Sequence, residues 1–173
     1  MLRFAEIALG IGLLSALLVG PTPAPADNVR KMAPNFTLSD SKGASVRLSD
    51  YKGKVVLLDF WATWCHGCKT EIPWYMEFQN KYKDEGLSVI GVSMDDDGWK
   101  SVKPFIEEQK MNYAVVIGDE ALAKLYAVDA LPVTMLIDRN GKIAVTHAGM
   151  VEKDAFEKQI RALLQDGAKN IPK

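Results

Sequence analysis

The stretch LLDFWATWCHGCKTEIPW, residues 57–74, contains the only two cysteines of the chain, Cys65 and Cys68. The apolar, β-branched run VVLLDF, residues 55–60, suits a strand buried on both faces. After Cys65 come helix formers to about Lys83, with apolar residues at Ile72, Tyr75, Met76, Phe78 and Tyr82 and a kink expected at Pro73. A strand that runs into Cys65 and a helix that starts there put the first sulfur at a helix N-terminus. Free backbone N–H groups and the helix dipole favour an anion at that point. The thiolate is that anion, so Cys65 is the expected nucleophile and Cys68, one turn deeper, the expected resolving thiol.

Two neighbours pull on this couple in opposite senses. His66 lies between the cysteines, where positive charge would favour the thiolate and make the disulfide more oxidising. Asp59, six residues before Cys65, would oppose a thiolate, and it is placed to take and return the proton of Cys68, directly or through water. The plainer readings stand beside these: Asp59 as a strand-end carboxylate satisfied by backbone groups, His66 as an exposed helix-start residue. A one-unit fall in the thiol pKa corresponds to about 1.4 kcal/mol, or at most about 30 mV for a two-electron couple. His66 alone therefore cannot turn a strong reductant into a strong oxidant. A metal half-site would need four ligands, and His66 and His147 are the only histidines, so no metal is expected. Lys69 follows Cys68 where haem attachment needs histidine. Trp61, Trp64 and Trp74 read as packing residues, with Trp64 also placed to form a flat docking surface beside Cys65.

The chain has 173 residues, enough for one domain with a substantial core, and its 21 basic and 22 acidic residues leave no footprint for nucleic acid or an anionic membrane. Residues 1–26 differ from the rest: Arg3 gives a positive start, and Ile7 to Val19 is apolar or small apart from Ser15. A run of that length fits a signal-peptide core better than a membrane span, with Ala24 and Ala26 as the small residues of a cleavage site before Asp27. Glu6 weakens the positive start, so an uncleaved N-terminal anchor is the alternative. The expected organisation is thus a leader or anchor over residues 1–26 and one folded domain over 27–173, exported to a bacterial periplasm. In an oxidising compartment a thiol pair tends to the disulfide. A bridge enclosing so short a loop constrains the unfolded chain little, so its chemistry is the better reason for it.

Asp27 to Ala33 reads as a tail. NFTLSD and ASVRLSD then form two short strands around the turn DSKG, followed by a turn at YKGK. Beyond the cysteine helix the spacing predicts a strand in LSVIGVSM, a helix in WKSVKPFIEEQK, a strand in AVVIG and a helix in DEALAKLYAV capped by Asp119. VTMLID, RNGK and IAVTHAG make a hairpin with Asn140-Gly141 in the turn, and a helix from about Glu152 to Gln165 closes the domain. The fold class is α/β, a mixed central sheet covered by helices on both faces. In ALPVT, Pro132 stands just before a buried strand, where proline marks a first residue or a turn.

Taken together, FWATWCHGCKTEIP and LPVTMLIDRNGKI resemble the thioredoxin superfamily, and within it the exported TlpA-like thiol-disulfide reductases of cytochrome c maturation. The resemblance covers about residues 34–166. It implies a thioredoxin fold with an N-terminal hairpin and an inserted helix–strand unit within residues 87–126, Cys65 as attacking and Cys68 as resolving thiol, and a cis Pro132 facing the disulfide. It also implies that the Leu131 backbone pairs with an extended segment of substrate. Asp59 matches the buried acid of thioredoxins proper, where TlpA-like proteins often have asparagine. Two departures stand out: His66-Gly67 replaces a dipeptide that commonly ends in proline, and Val133 replaces the threonine often found after the cis proline. Glycine in the first helical turn is less favourable than alanine by up to about 1 kcal/mol.

The expected activity is reduction of disulfides in exported proteins, with re-reduction by a membrane thiol donor, no cofactor beyond the redox-active disulfide, and a monomeric state. The rivals are a disulfide oxidase or isomerase, favoured by His66, and a copper chaperone using both thiols and a histidine. A peroxiredoxin is disfavoured because Ala62 stands three residues before Cys65, where that family has its catalytic threonine.

Overall fold

A computed structural model describes residues 30–168. The expected leader, residues 1–26, its cleavage point and the first residues of the tail lie outside the described residues. Strands β1 (Thr37–Ser39) and β2 (Ser45–Arg47) pair antiparallel, with Leu38 opposite Val46. A short 3-10 turn at Leu48–Tyr51 leads to β3 (Val55–Trp61), and α1 (His66–Tyr82) follows. Then come β4 (Leu87–Ser93), α2 (Trp99–Gln109), β5 (Ala114–Ile117) and α3 (Glu120–Leu125), and finally β6 (Val133–Ile137), β7 (Ile143–Ala148) and α4 (Lys153–Ala168). The five-stranded sheet has the order β5-β4-β3-β6-β7, with β3, β4 and β5 parallel and β6 and β7 antiparallel to their neighbours. α2 with β5 is the helix–strand unit expected within residues 87–126. This architecture is the expected mixed sheet of a thioredoxin fold.

The period of two along β3 sorts its side chains between two cores. Val56, Leu58 and Phe60 face the N-terminal hairpin and α3, packing with Phe36, Leu122 and Tyr126. Val55 and Leu57 face α1 and α4, against Tyr75, Phe78, Phe156 and Ile160. Trp61 continues that face toward α2, with Ile72 and Val102. Every residue of β3 and β4 is buried, as a central strand covered on both faces requires. Asp59 is the one charged residue of these strands, and it points to the α1 face.

Residues 30–33 are more than a free tail. Lys31 and Ala33 bond Ile143 and Gly141 through the backbone, and Arg30 pairs with Asp138, so this segment closes the start of the β7 edge. At the opposite edge Asp40 bridges to Val116 of β5. Both outer strands are thereby protected from pairing with another chain. Gly141, with φ of 82°, takes the left-handed position that the Asn140-Gly141 turn needs. Helix α3 starts at the predicted cap: Asp119 Oδ1 accepts the Leu122 N–H at 2.7 Å. At α4 it is Glu152 that does the capping, its carboxylate accepting from Asp154 and Ala155. α1 continues through Pro73, which can donate no bond within it.

Candidate active site

The parallel strands β3 and β4 both end beneath the N-terminus of α1, and the turn between β3 and α1 carries the cysteines. Cys65 is the N-cap of α1, with extended backbone, and its Sγ accepts the N–H of Cys68 at 3.2 Å. The two are joined as a disulfide, with Cα atoms 5.3 Å apart. Cys65 is 6% exposed and Cys68 1%.

The turn is held by a residue that sequence reasoning missed. Asp95 accepts the Thr63 N–H at 2.9 Å, the Thr63 hydroxyl at 2.5 Å and the Ser93 hydroxyl at 2.8 Å. In sequence it opens the acidic run DDDG and reads as solvated; in the fold it is buried between the ends of β3 and β4. Asp95→Ala leaves those donors without their acceptor, at about 1–3 kcal/mol for a buried unpaired group. Urea denaturation of the oxidised protein checks this, and a loss below about 0.5 kcal/mol would remove Asp95 as the anchor of the turn.

Around the disulfide the described residues form an apolar rim. Trp64 is 67% exposed beside Cys65, Met150 is 60% exposed, and the Leu131–Pro132 peptide bond is cis. Gly67 lies between them: a Cβ there would meet Met150 Cγ at 3.0 Å and Pro132 Cδ at 3.5 Å. The absence of a side chain at residue 67 is what lets the β7–α4 loop bring Met150 against α1. Pro132 is buried and its carbonyl accepts the Gly149 N–H at 2.8 Å; Leu131, half-buried, packs against the cluster holding both cysteines. His66 is exposed at the first position of α1. His147 is not directed to the sulfurs: its Nε2 is 3.0 Å from Gln159 Oε1 and its ring packs edge-on to Phe156.

Asp59 lies fully buried behind the disulfide. Thr134 donates to its Oδ1 at 3.4 Å, and Oδ2 has no partner among the described residues, so backbone groups do not satisfy it in the way a strand-end carboxylate would be. Burial, and then the nearby charge of Glu71, push its carboxyl well above the usual range. Glu71 is the second residue that the sequence did not single out. It is fully buried on α1, its Oε1 accepts the Val151 N–H at 2.6 Å, and burial pushes its carboxyl up as well. A signal was present in the sequence, because Glu71 shares the helix face of Cys68, Ile72 and Tyr75 at three- and four-residue spacing. A charge on that stripe is out of place unless it has work there.

An attackable cysteine at a helix N-terminus, a buried partner sulfur and buried acids behind them on this sheet define a thioredoxin-like thiol-disulfide oxidoreductase. The chain belongs to the AhpC/TSA family, whose model matches residues 29–146. It is 36% identical over 137 residues to thiol-disulfide oxidoreductase ResA of Bacillus thuringiensis subsp. konkukian, covering 78% of each chain. The ResA of Geobacillus kaustophilus is 36% identical over 143 residues, 82% of each. Among solved structures, a thiol:disulfide interchange protein from Bacteroides sp. matches with a TM-score of 0.69 and 32% identity, over 79% of this chain and 90% of that one. The exposed lipoprotein thioredoxin Etrx1 of Streptococcus pneumoniae matches with a TM-score of 0.67 and 32% identity, over 75% and 100%.

Proposed function

We propose that the protein is an exported reductase of protein disulfides, working in the periplasm on client proteins of the cytochrome c maturation type. The observation that carries this reading is the difference between the two sulfurs: Cys65 caps a helix at the surface and Cys68 is sealed beneath it. In the reduced protein the Cys65 thiolate attacks a client disulfide, and one client sulfur leaves as a thiolate. Cys68 gives up its proton and attacks Cys65 Sγ; the second client sulfur leaves with the electron pair of the bond that breaks, and the Cys65–Cys68 bond forms. A membrane thiol donor returns two electrons and two protons. Asp59 accepts the Cys68 proton. Trp64, Leu131 and Pro132 receive an extended client segment, and His66 and Gly67 tune the couple.

Residues 1–26 serve as leader or anchor and 27–173 as the catalytic domain, acting as a monomer without cofactor. Among the described residues no helix is long and apolar enough to cross a membrane. The names of the ResA relatives support the oxidoreductase class, and the buried Ala62 before Cys65 offers no hydroxyl for peroxide chemistry.

The test is the reduction potential of the couple, equilibrated with defined thiol buffers. The expected value is near that of thioredoxin, about −270 mV. A value near about −120 mV would make the protein an oxidant and remove the reductase reading.

A further inference from the structure

The end of the domain opposite the disulfide contains a cleft of about 260 Å³, lined by the N-terminal segment, the chain between β2 and β3, and the β6–β7 turn. Its floor is apolar. Leu48, Val56 and Ile137 belong to the core under the N-terminal hairpin and come to the cleft from three separate elements. Tyr51 and Met32 line it as well, and Met32 is 61% exposed.

The polar lining is uneven in charge. Asp138 is the one acid among the described residues that line the cleft, and its carboxylate is occupied. Oδ1 accepts the Asn140 and Lys142 N–H groups at 2.9 and 3.0 Å, and Oδ2 is 3.2 Å from Arg30. Lys52 and Lys54 are exposed lining residues with no carboxylate partner among the described residues, and the Lys54 ammonium stands 5.9 Å from the centre of the Tyr51 ring. Lys31, next to Met32, is a third exposed cation without such a partner. Asn35 accepts the Ser49 N–H at 2.9 Å through Oδ1, which leaves its amide N–H groups as donors. The nearly even charge of the whole chain conceals this local excess of cations.

An apolar floor beside unpaired ammonium groups fits an anion carried on an apolar body. A free inorganic ion would leave the floor uncovered, and a neutral apolar molecule would leave the cations unanswered. The course of the chain selects among such anions. The described segment that lines the cleft at Met32 and Ala33 starts at residue 30, and the expected leader ends at Ala26. Four residue steps span at most about 14 Å. A leader kept as a bilayer anchor therefore holds this end of the domain within reach of the headgroup layer, where anionic phospholipids attract lysines. The disulfide is on the far side, since β3 alone rises about 20 Å from Val55 to Trp61.

We propose that this cleft binds the headgroup of an anionic phospholipid, with Lys52 and Lys54 against the phosphate, Asn35 donating to it, and the glycerol and first acyl carbons over Leu48, Val56 and Ile137. The proposal rests on the reading of residues 1–26 as an anchor. Attachment through the anchor makes the second contact intramolecular, so that a cleft of low intrinsic affinity is still filled. Two points of attachment then fix the domain on the bilayer by the end that lies away from Cys65.

The test places the full-length chain in vesicles of phosphatidylcholine, with or without added phosphatidylglycerol, at one salt concentration. Mass spectrometry follows acetylation of Lys52 and Lys54 and backbone hydrogen exchange over residues 31–35 and 48–54, with the exposed Lys100 and Lys103 of α2 as internal controls. Phosphatidylglycerol is expected to slow both reactions at the cleft about fivefold or more, to leave the α2 lysines unchanged, and to lose its effect as salt is raised. Lys52→Gln combined with Lys54→Gln should abolish the slowing of hydrogen exchange, and the paired Lys→Arg changes should keep it, with the reduction potential of the parent in both. Equal rates in the two membranes would overturn the proposal, as would slowing by phosphatidylglycerol that persists in the glutamine variant. Failure of the anchor reading is seen separately, as cleavage before Asp27 in the exported protein. The reductase reading is untouched by either result, since the potential and the cysteine variants decide it.

Discussion

Cys65→Ser is expected to lower the rate of insulin-disulfide reduction by about three orders of magnitude or more, because serine offers no anion at neutral pH where the helix N-terminus stabilises a thiolate. The fold should survive, since the side chain keeps its size and its cap acceptor. Cys68→Ser should behave differently. Attack by Cys65 remains, but no buried sulfur resolves the mixed disulfide, so client and protein accumulate as a covalent complex visible on a non-reducing gel. Turnover by Cys65→Ser, or trapping through Cys68 in its place, would reverse the assignment that burial of 6% against 1% supports.

The second large effect concerns stability. The Asp59 carboxyl is raised by burial and by Glu71, so the folded state keeps a proton that the unfolded chain has released above about pH 4. The stability this proton contributes is fully present below the unfolded value and is lost as pH rises through the folded one. Over that window the stability of the parent falls by about 1.4 kcal/mol per pH unit relative to a variant that cannot ionise. Asp59→Asn should thus match the parent near pH 4 and become more stable as pH rises. Between pH 5 and pH 6 the gap should widen by about 1.4 kcal/mol in urea denaturation, about 3–6 °C in Tm. A gap that stays constant over this range would mean that Asp59 ionises in the fold as it does in water. The same variant should slow the resolving step by about a hundredfold, the ordinary contribution of a positioned proton acceptor.

Glu71 and Asp95 show why part of the site escaped a linear reading. Asp95 stands in the polar run MDDDGW, where a solvated charge is the default, and Glu71 lies on an apolar helix stripe with no local partner to mark its role. What makes them part of the site is contact with residues distant in sequence: Glu71 with Val151, 80 positions away, and Asp95 with Thr63, 32 positions away. Met150 is similar, in a loop that nothing local connects with Gly67.

The sequence by itself determined the strand-to-helix junction at Cys65, the order of strands and helices, the Asn140-Gly141 hairpin and the Asp119 cap. These rest on period, turn chemistry and capping, which act within a few residues. It also marked Asp59, because a charge inside VVLLDF cannot avoid burial. Only the tertiary structure decided that Cys68 is more deeply buried than Cys65, that the Thr134 hydroxyl meets Asp59, and that Asp95 holds the turn at Thr63. Those facts depend on which surfaces exclude water from one another, and burial is a property of the packed whole that no single segment carries.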